Sequence, residues 1–218
     1  MSKDSKTQNY VGSLEESKIR FDFKRDFIKF DGEIFYKTYC SEWKGVDFLV
    51  VDGKKLVFVE VKNFRGDERN NVWKTFPDNA KKQKAQKAQG FSDSKNSLDI
   101  EVAAKVRDTW TAFCGARTFN EECDKQISQE FRALLQSSNK ALEPTSTVNL
   151  RIVVVLFLEG AVPKNGSREF KKIAQLIRDS LDAKLKWLNC LVYVVDLNEA
   201  SKRNAISRLF DATLLPNA

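Results

Sequence analysis

Apolar positions in this chain fall into blocks whose period changes along its length. Residues 1–12 carry no sustained apolar pattern and read as a flexible tail. Ser13-Leu14-Glu15-Glu16 has the spacing of a capping box, which predicts a short helical piece starting there. Apolar alternation through Phe21 to Phe30 and Ile34 to Tyr39, with Asp31-Gly32 between, predicts strands. Val46–Val51 and Leu56–Val61 are nearly continuous apolar runs separated by Asp52-Gly53-Lys54-Lys55, a strong hairpin signal. Continuous apolarity means that both faces of this hairpin are covered, so it belongs in the middle of a layered domain. From Asn63 to Gly90 the chain is polar and reads as a long excursion. Helical periodicity returns with Leu98, Val102, Val106 and Trp110, and again with Ile127, Phe131, Leu134 and Leu135. Leu150–Leu158 predicts a buried strand, 167–188 an amphipathic helix, Leu191–Val195 another buried strand and 199–211 a final helix. The expected fold is a single α/β domain spanning residues 1–218, a central mixed β-sheet flanked by helices on both faces.

Composition narrows the chemistry. The 218 residues can bury a core without staples. The histidine count is zero, which excludes Ser-His-Asp triads, Cys-His dyads, HExxH zinc sites and zinc fingers with a histidine ligand on this chain. Catalysis here has to use carboxylates, lysine, hydroxyls, thiols or a metal held by oxygen. Cys40, Cys114, Cys123 and Cys190 have no CxxC spacing and read as reduced thiols rather than as a cluster site. The N-terminus lacks the apolar segment of a signal peptide, and Ile152–Leu158 is far too short to cross a bilayer. A soluble, cytoplasmic protein without a membrane partner is expected.

Lys and Arg number 37 against 30 Asp and Glu, a net charge of +7. Lys54–Gly90 alone holds ten basic residues and four acids, nearly the whole excess. Clustered positive charge points to a polyanionic partner, because phosphates release counterions on binding. A solubilising face is the competing explanation.

The chemistry is carried by three charged residues in or beside the apolar hairpin. Glu60 and Lys62 project to one face of their strand and Val61 to the other. With a four-residue turn, Val51 faces Leu56 and Asp47 lies across from Glu60; with a two-residue Asp-Gly turn, Asp47 sits one diagonal step away. Both registers bring Asp47, Glu60 and Lys62 to one face, and only a three-residue loop would separate them. Two carboxylates at a buried strand end need compensation. A hard divalent cation supplies it, taking one or two carboxylates and leaving other positions to water and phosphate. The alternative is an i,i+2 salt pair at a strand end, with Asp47 beside it by accident.

Asp47, twelve intervening residues, then Glu60-Val61-Lys62 resembles the PD-(D/E)xK signature of the restriction-endonuclease-like nucleases; Val46 stands where the nominal proline would be. The resemblance implies a restriction-endonuclease-like core and a metal-dependent phosphodiesterase, most plainly a DNA endonuclease of prokaryotic antiviral defence or repair. It implies Mg²⁺ or Mn²⁺ held by Asp47, Glu60 and the Val61 carbonyl, with Lys62 acting at the nucleophile. An additional acid from an early helix would be Glu15 or Glu16. The competing function is a catalytically inactive nucleic-acid-binding subunit on the same fold, or a component of a defence complex. A homodimer would suit two-strand cleavage.

Arg65, Arg69, Lys74, Lys81, Lys82, Lys84 and Lys87 follow Lys62 closely and are the candidate phosphate contacts. Trp73 and Phe76 among them suit either base stacking or packing of the segment onto the domain. Lys105 and Arg107 face either the nucleic-acid groove or solvent.

Overall fold

A computed structural model describes residues 10–82, 95–118, 127–142, 150–162 and 169–216; Lys84, Lys87 and Cys123 lie outside the described residues. A five-stranded sheet runs in the order β3-β4-β5-β6-β7, with β3 Phe27–Lys29, β4 Phe48–Asp52, β5 Lys55–Asn63, β6 Arg151–Glu159 and β7 Leu191–Val195. β3, β4 and β5 are antiparallel neighbours, whereas β5, β6 and β7 are parallel, so the sheet is mixed. The parallel half follows from its connections. The return from β5 to β6 passes through α2 Glu68–Asn71, α3 Leu98–Ala116 and α4 Gln129–Leu142, and that from β6 to β7 through α5 Phe170–Lys184.

α3, α4 and α5 cover one face of the sheet. The core there joins Leu98, Val102, Val106 and Phe113 of α3 and Ile173, Ile177 and Leu181 of α5 to Leu49, Leu56, Phe58, Val154 and Leu156 of the sheet. The other face carries Phe48, Val50, Val57, Val59, Val153, Val155 and Phe157, and a small second sheet packs against it. That sheet has the order β1-β2-β8, with β1 Gly12–Glu16, β2 Ile19–Phe23 and β8 Phe210–Leu214. Phe21, Phe23, Phe48, Phe157 and Phe210 interlock there with ring centroids 5.2–6.3 Å apart. Two short helices, α6 Leu197–Lys202 and α7 Asn204–Ser207, complete this side through Ala200 and Ile206.

Helices were expected on both faces; a β-layer with two short helices takes one of them instead. The helix expected over 199–211 is instead the two short helices α6 and α7, and its last two residues, Phe210 and Asp211, open β8, which pairs with β2 far away in the chain. Ser13–Glu16 forms β1 rather than starting a helix, because Ser17 and Lys18 turn the chain at φ +52° and +64° and set Glu16 opposite Ile19. Ile34–Tyr39 is helix α1, not a strand; Phe35 and Tyr36 tuck against Phe131 and Phe30. The stretch from Phe21 to Phe30 is two strands in different sheets, broken at the polar residues Lys24-Arg25-Asp26. Of the expected tail, residues 1–9 lie outside the described residues and 10–12 are tied down: Val11 N–H donates to the Phe23 carbonyl at 2.7 Å, and the Tyr10 hydroxyl donates to Asp211 at 2.6 Å.

Candidate active site

The β4–β5 ladder closes with Asp52 opposite Lys55 and ends with Phe48 opposite Val59. The loop is the two residues Gly53-Lys54, with Gly53 in the left-handed region at φ +60° that a glycine adopts without strain. Val51 faces Leu56, so Asp47, one step past the last rung, stands at the height of Glu60. Strand parity then puts Asp47, Glu60 and Lys62 on the α3 side of the sheet. β4 has ended at this point, and the Asp47 side chain takes over from its backbone: Oδ2 accepts the Val61 N–H at 2.6 Å. The carbonyl of a strand residue points to the same edge as its N–H, so the Val61 carbonyl also faces the Asp47 side.

Two of the groups that complete the cluster come from α3. Lys62 Nζ lies 3.0 Å from Glu60 Oε1 and 2.7 Å from Glu101 Oε1. Lys105 Nζ lies 2.7 Å from Glu60 Oε1, 2.9 Å from Glu60 Oε2 and 3.8 Å from Asp47 Oδ1. One turn further on, Thr109 Oγ1 accepts the Val46 N–H at 2.9 Å, which fixes α3 against the start of β4. Glu101, Lys105 and Thr109 are spaced i, i+4, i+8 and therefore share one face of α3.

A second carboxylate group meets Asp47. Glu16, Asp31 and Asp47 each bring an oxygen within 4.8 Å of the other two. Glu16 is already paired with Lys29 at 2.8 Å, and Asp31 Oδ1 is buried without a hydrogen-bond partner. Of the two early acids considered, Glu16 joins the cluster, and it does so from the end of a strand rather than from a helix.

Electrostatics single out Asp47. It is 6% exposed, and burial, reinforced by the nearby Glu60 charge, pushes its carboxyl up to about 7; Lys105 and the Val61 N–H pull the other way. Burial also pushes Glu60 up, against the pull of Lys62 and Lys105. For Lys62, burial acts to lower the value, but Glu60 and Glu101 outweigh it and hold the ammonium above the ordinary lysine range. Glu60 therefore has two ammonium partners, whereas Asp47 has one at a longer distance.

Glu16, Asp31 and Asp47 form an oxygen donor set of the kind that could hold a hard divalent cation, and Glu60, not one of that group of three, stands at the height of Asp47 on the neighbouring strand. The donors fit such an ion, because Asp47 is buried with more negative than positive charge close to it.

The basic excursion is partly folded. Trp73 is buried, so it packs this segment onto the domain rather than presenting a ring to a base. Lys74 is half-buried near the Phe64 ring, and burial lowers its pKa. Arg65 is committed to Glu159 at 2.7 and 2.8 Å. Arg69 and Lys81 are exposed, with the Lys81 ammonium 5.5 Å from the Phe76 ring centre, and Lys82 is half-buried. Arg107 is exposed and pairs with Asp108, so of the two α3 cations only Lys105 joins the cluster. Sequence reasoning missed Glu101. Its signal was an acid four residues before Lys105, both flanking the Leu98-Val102-Val106 stripe.

The family described as "Family of unknown function (DUF6661)" matches residues 28–209, and the chain belongs to it. No curated protein matches the chain, and no solved structure does. The matched span takes in the five-stranded sheet from Ile28 onward, with Asp31, Asp47, Glu60, Lys62, Glu101 and Lys105, but leaves out Glu16. Among the described residues, no helix is long and apolar enough to cross a membrane.

Proposed function

We propose that this family member is a divalent-metal-dependent phosphodiesterase that cleaves nucleic acid, a DNA endonuclease of the PD-(D/E)xK kind with a role in prokaryotic defence or repair. The observation that carries the reading is the convergence of Asp47, Glu60 and Lys62 on one face, around a buried aspartate whose counter-charge, the Lys105 ammonium, stands off at 3.8 Å. The β4–β5 hairpin, the helical crossover and the parallel β6 support it, since the resemblance implies that order. Asp47 and Glu60, with the Val61 carbonyl, would hold Mg²⁺ or Mn²⁺, and Glu16 and Asp31 would add negative charge at its edge. Such an ion would acidify a bound water and offset charge developing at phosphorus.

The remaining chemistry belongs to the protein. Lys62 is held charged and oriented between Glu60 and Glu101, ready to donate to the attacking water or to a non-bridging phosphate oxygen. The exposed cations Arg69 and Lys81 lie in the segment that leaves this strand, where they would contact flanking phosphates. Homodimerisation would bring two such sites to the two strands of a duplex.

A second reading, a nucleic-acid-binding subunit without activity, is favoured by one specific feature. Glu60 is already neutralised by two lysines, so part of the cluster is self-compensating. Incubating supercoiled plasmid with Mg²⁺ or Mn²⁺, with and without EDTA, separates the two for wild type and Asp47→Ala. Nicking that disappears with both EDTA and Asp47→Ala supports the enzyme. DNA retention at low salt without nicking in any metal overturns it in favour of the binding subunit.

A further inference from the structure

Lys105 lies between the two strand carboxylates, Glu60 and Asp47. Its ammonium touches both oxygens of Glu60 at 2.7 and 2.9 Å and reaches Asp47 Oδ1 at 3.8 Å. The helix beneath it is pinned on either side. Four residues before, Glu101 holds Lys62; four residues after, Thr109 accepts the Val46 N–H, and Asp108 Oδ2 accepts the Lys44 N–H at 3.2 Å. The α3 backbone therefore sets where Lys105 starts, while its flexible four-carbon stem, with the side chain 17% exposed, leaves the ammonium a route to solvent.

An ammonium and a divalent ion repel strongly at such separations in a partly buried site. We propose that Lys105 is a competitor for the metal position: it screens Glu60 and Asp47 from each other in the free protein, and a divalent cation bridging the two carboxylates has to displace it. Lys105 is thus a positioning residue that sets how tightly the site takes its ion. Glu60 keeps Lys62 as a partner after the exchange, so it is not left bare when Lys105 swings away. Released, the ammonium is free to meet a phosphate of the incoming nucleic acid. This inference rests on the metal-dependent reading above.

The test is Mn²⁺ binding by titration calorimetry, with no substrate present, for wild type, Lys105→Gln, Lys105→Arg and Asp47→Asn. Circular dichroism checks that each variant is folded. Removing one like charge beside a cation site moves such equilibria by about tenfold or more. Lys105→Gln is therefore expected to bind Mn²⁺ at least about tenfold more tightly than wild type, Lys105→Arg no more tightly than wild type, and Asp47→Asn weakly. Thermal melting gives an independent readout: Lys105→Gln should gain more from Mn²⁺ than wild type does. Equal or weaker Mn²⁺ binding by folded Lys105→Gln, with Asp47→Asn still impaired, overturns the competitor role and leaves the metal site standing. Binding that is the same in Asp47→Asn and wild type, or absent in every variant, overturns the metal reading and this inference with it.

Discussion

Lys62→Met keeps the aliphatic stem of the lysine and removes its charge from between two acids. The ammonium lies 3.0 Å from Glu60 and 2.7 Å from Glu101, and its side chain is 21% exposed against 1% and 18% for the partners. At an effective dielectric of about 20, each contact carries roughly 6 kcal/mol of attraction, from which the several kcal/mol needed to desolvate an ion must be taken. Removing one partner of a buried pair costs about 3–5 kcal/mol in measured cases, and Glu60 retains Lys105. We therefore expect a loss of about 3 kcal/mol, at the low end of that range. In urea titrations at pH 7 with EDTA, a slope of about 2–3 kcal/mol/M converts this into a midpoint lowered by about 1–1.5 M. Because the Lys62 value is raised in the folded protein, the difference should persist through neutral pH and fade only under strongly alkaline conditions. A midpoint shift below about 0.3 M at unchanged slope would mean that the network contributes nothing to the fold, and the electrostatic account of the site would fail.

Three further outcomes follow from the structure. Asp99 is buried, and although burial acts to raise its carboxyl, hydrogen bonds from Ser97, Lys184, the Asp78 N–H and Ser180 hold it below the usual range. Its contribution is thus present above about pH 4 and lost as the pH falls through the folded value, so the stability gap between wild type and Asp99→Asn should be about 1–3 kcal/mol at pH 7 and shrink towards pH 3; a gap that widens on acidification contradicts this. Gly160 has φ +68°, and a methyl group there would lie 2.4 Å from the Arg65 nitrogen, so Gly160→Ala should lower stability by about 3 kcal/mol or more in thermal or urea unfolding, where a neutral change is the contrary result. Neutralising exposed Arg69 and Lys81 together should flatten the dependence of log affinity for duplex DNA on log salt by about 2, and an unchanged slope would mean that neither touches phosphate.

The part of the site on β4 and β5 was readable because period-two alternation in an apolar run leaves few registers, and both short-turn registers put Asp47, Glu60 and Lys62 on one face. The parallel strands β6 and β7 were equally plain, since unbroken apolar runs of that length belong to strands covered on both sides. The second layer was hidden because its pairings are non-local or lack turn residues. Ser17-Lys18 adopts a left-handed turn without a glycine or asparagine to announce it, and β8 declares itself only through its distant partner β2. Ile34–Tyr39 has β-forming residues, yet packing of Phe35 and Tyr36 against Phe131 and Phe30 favours a helical turn there. Glu101 carried no reading of its own and Lys105 suited either the nucleic-acid groove or solvent; that both turn inward depends on how α3 lies across the sheet, which the stripe Leu98-Val102-Val106 does not specify by itself.

In the proposed function, the carboxylate of Asp47 holds the ion on which phosphodiester cleavage depends. The most direct test is the initial nicking rate of supercoiled plasmid at saturating Mn²⁺, measured for wild type and Asp47→Asn side by side. We predict a rate for wild type that saturates with Mn²⁺, and one about 10²-fold lower or less for the folded variant. Equal rates for the two proteins, or cleavage by wild type that persists unchanged in EDTA, would contradict the account.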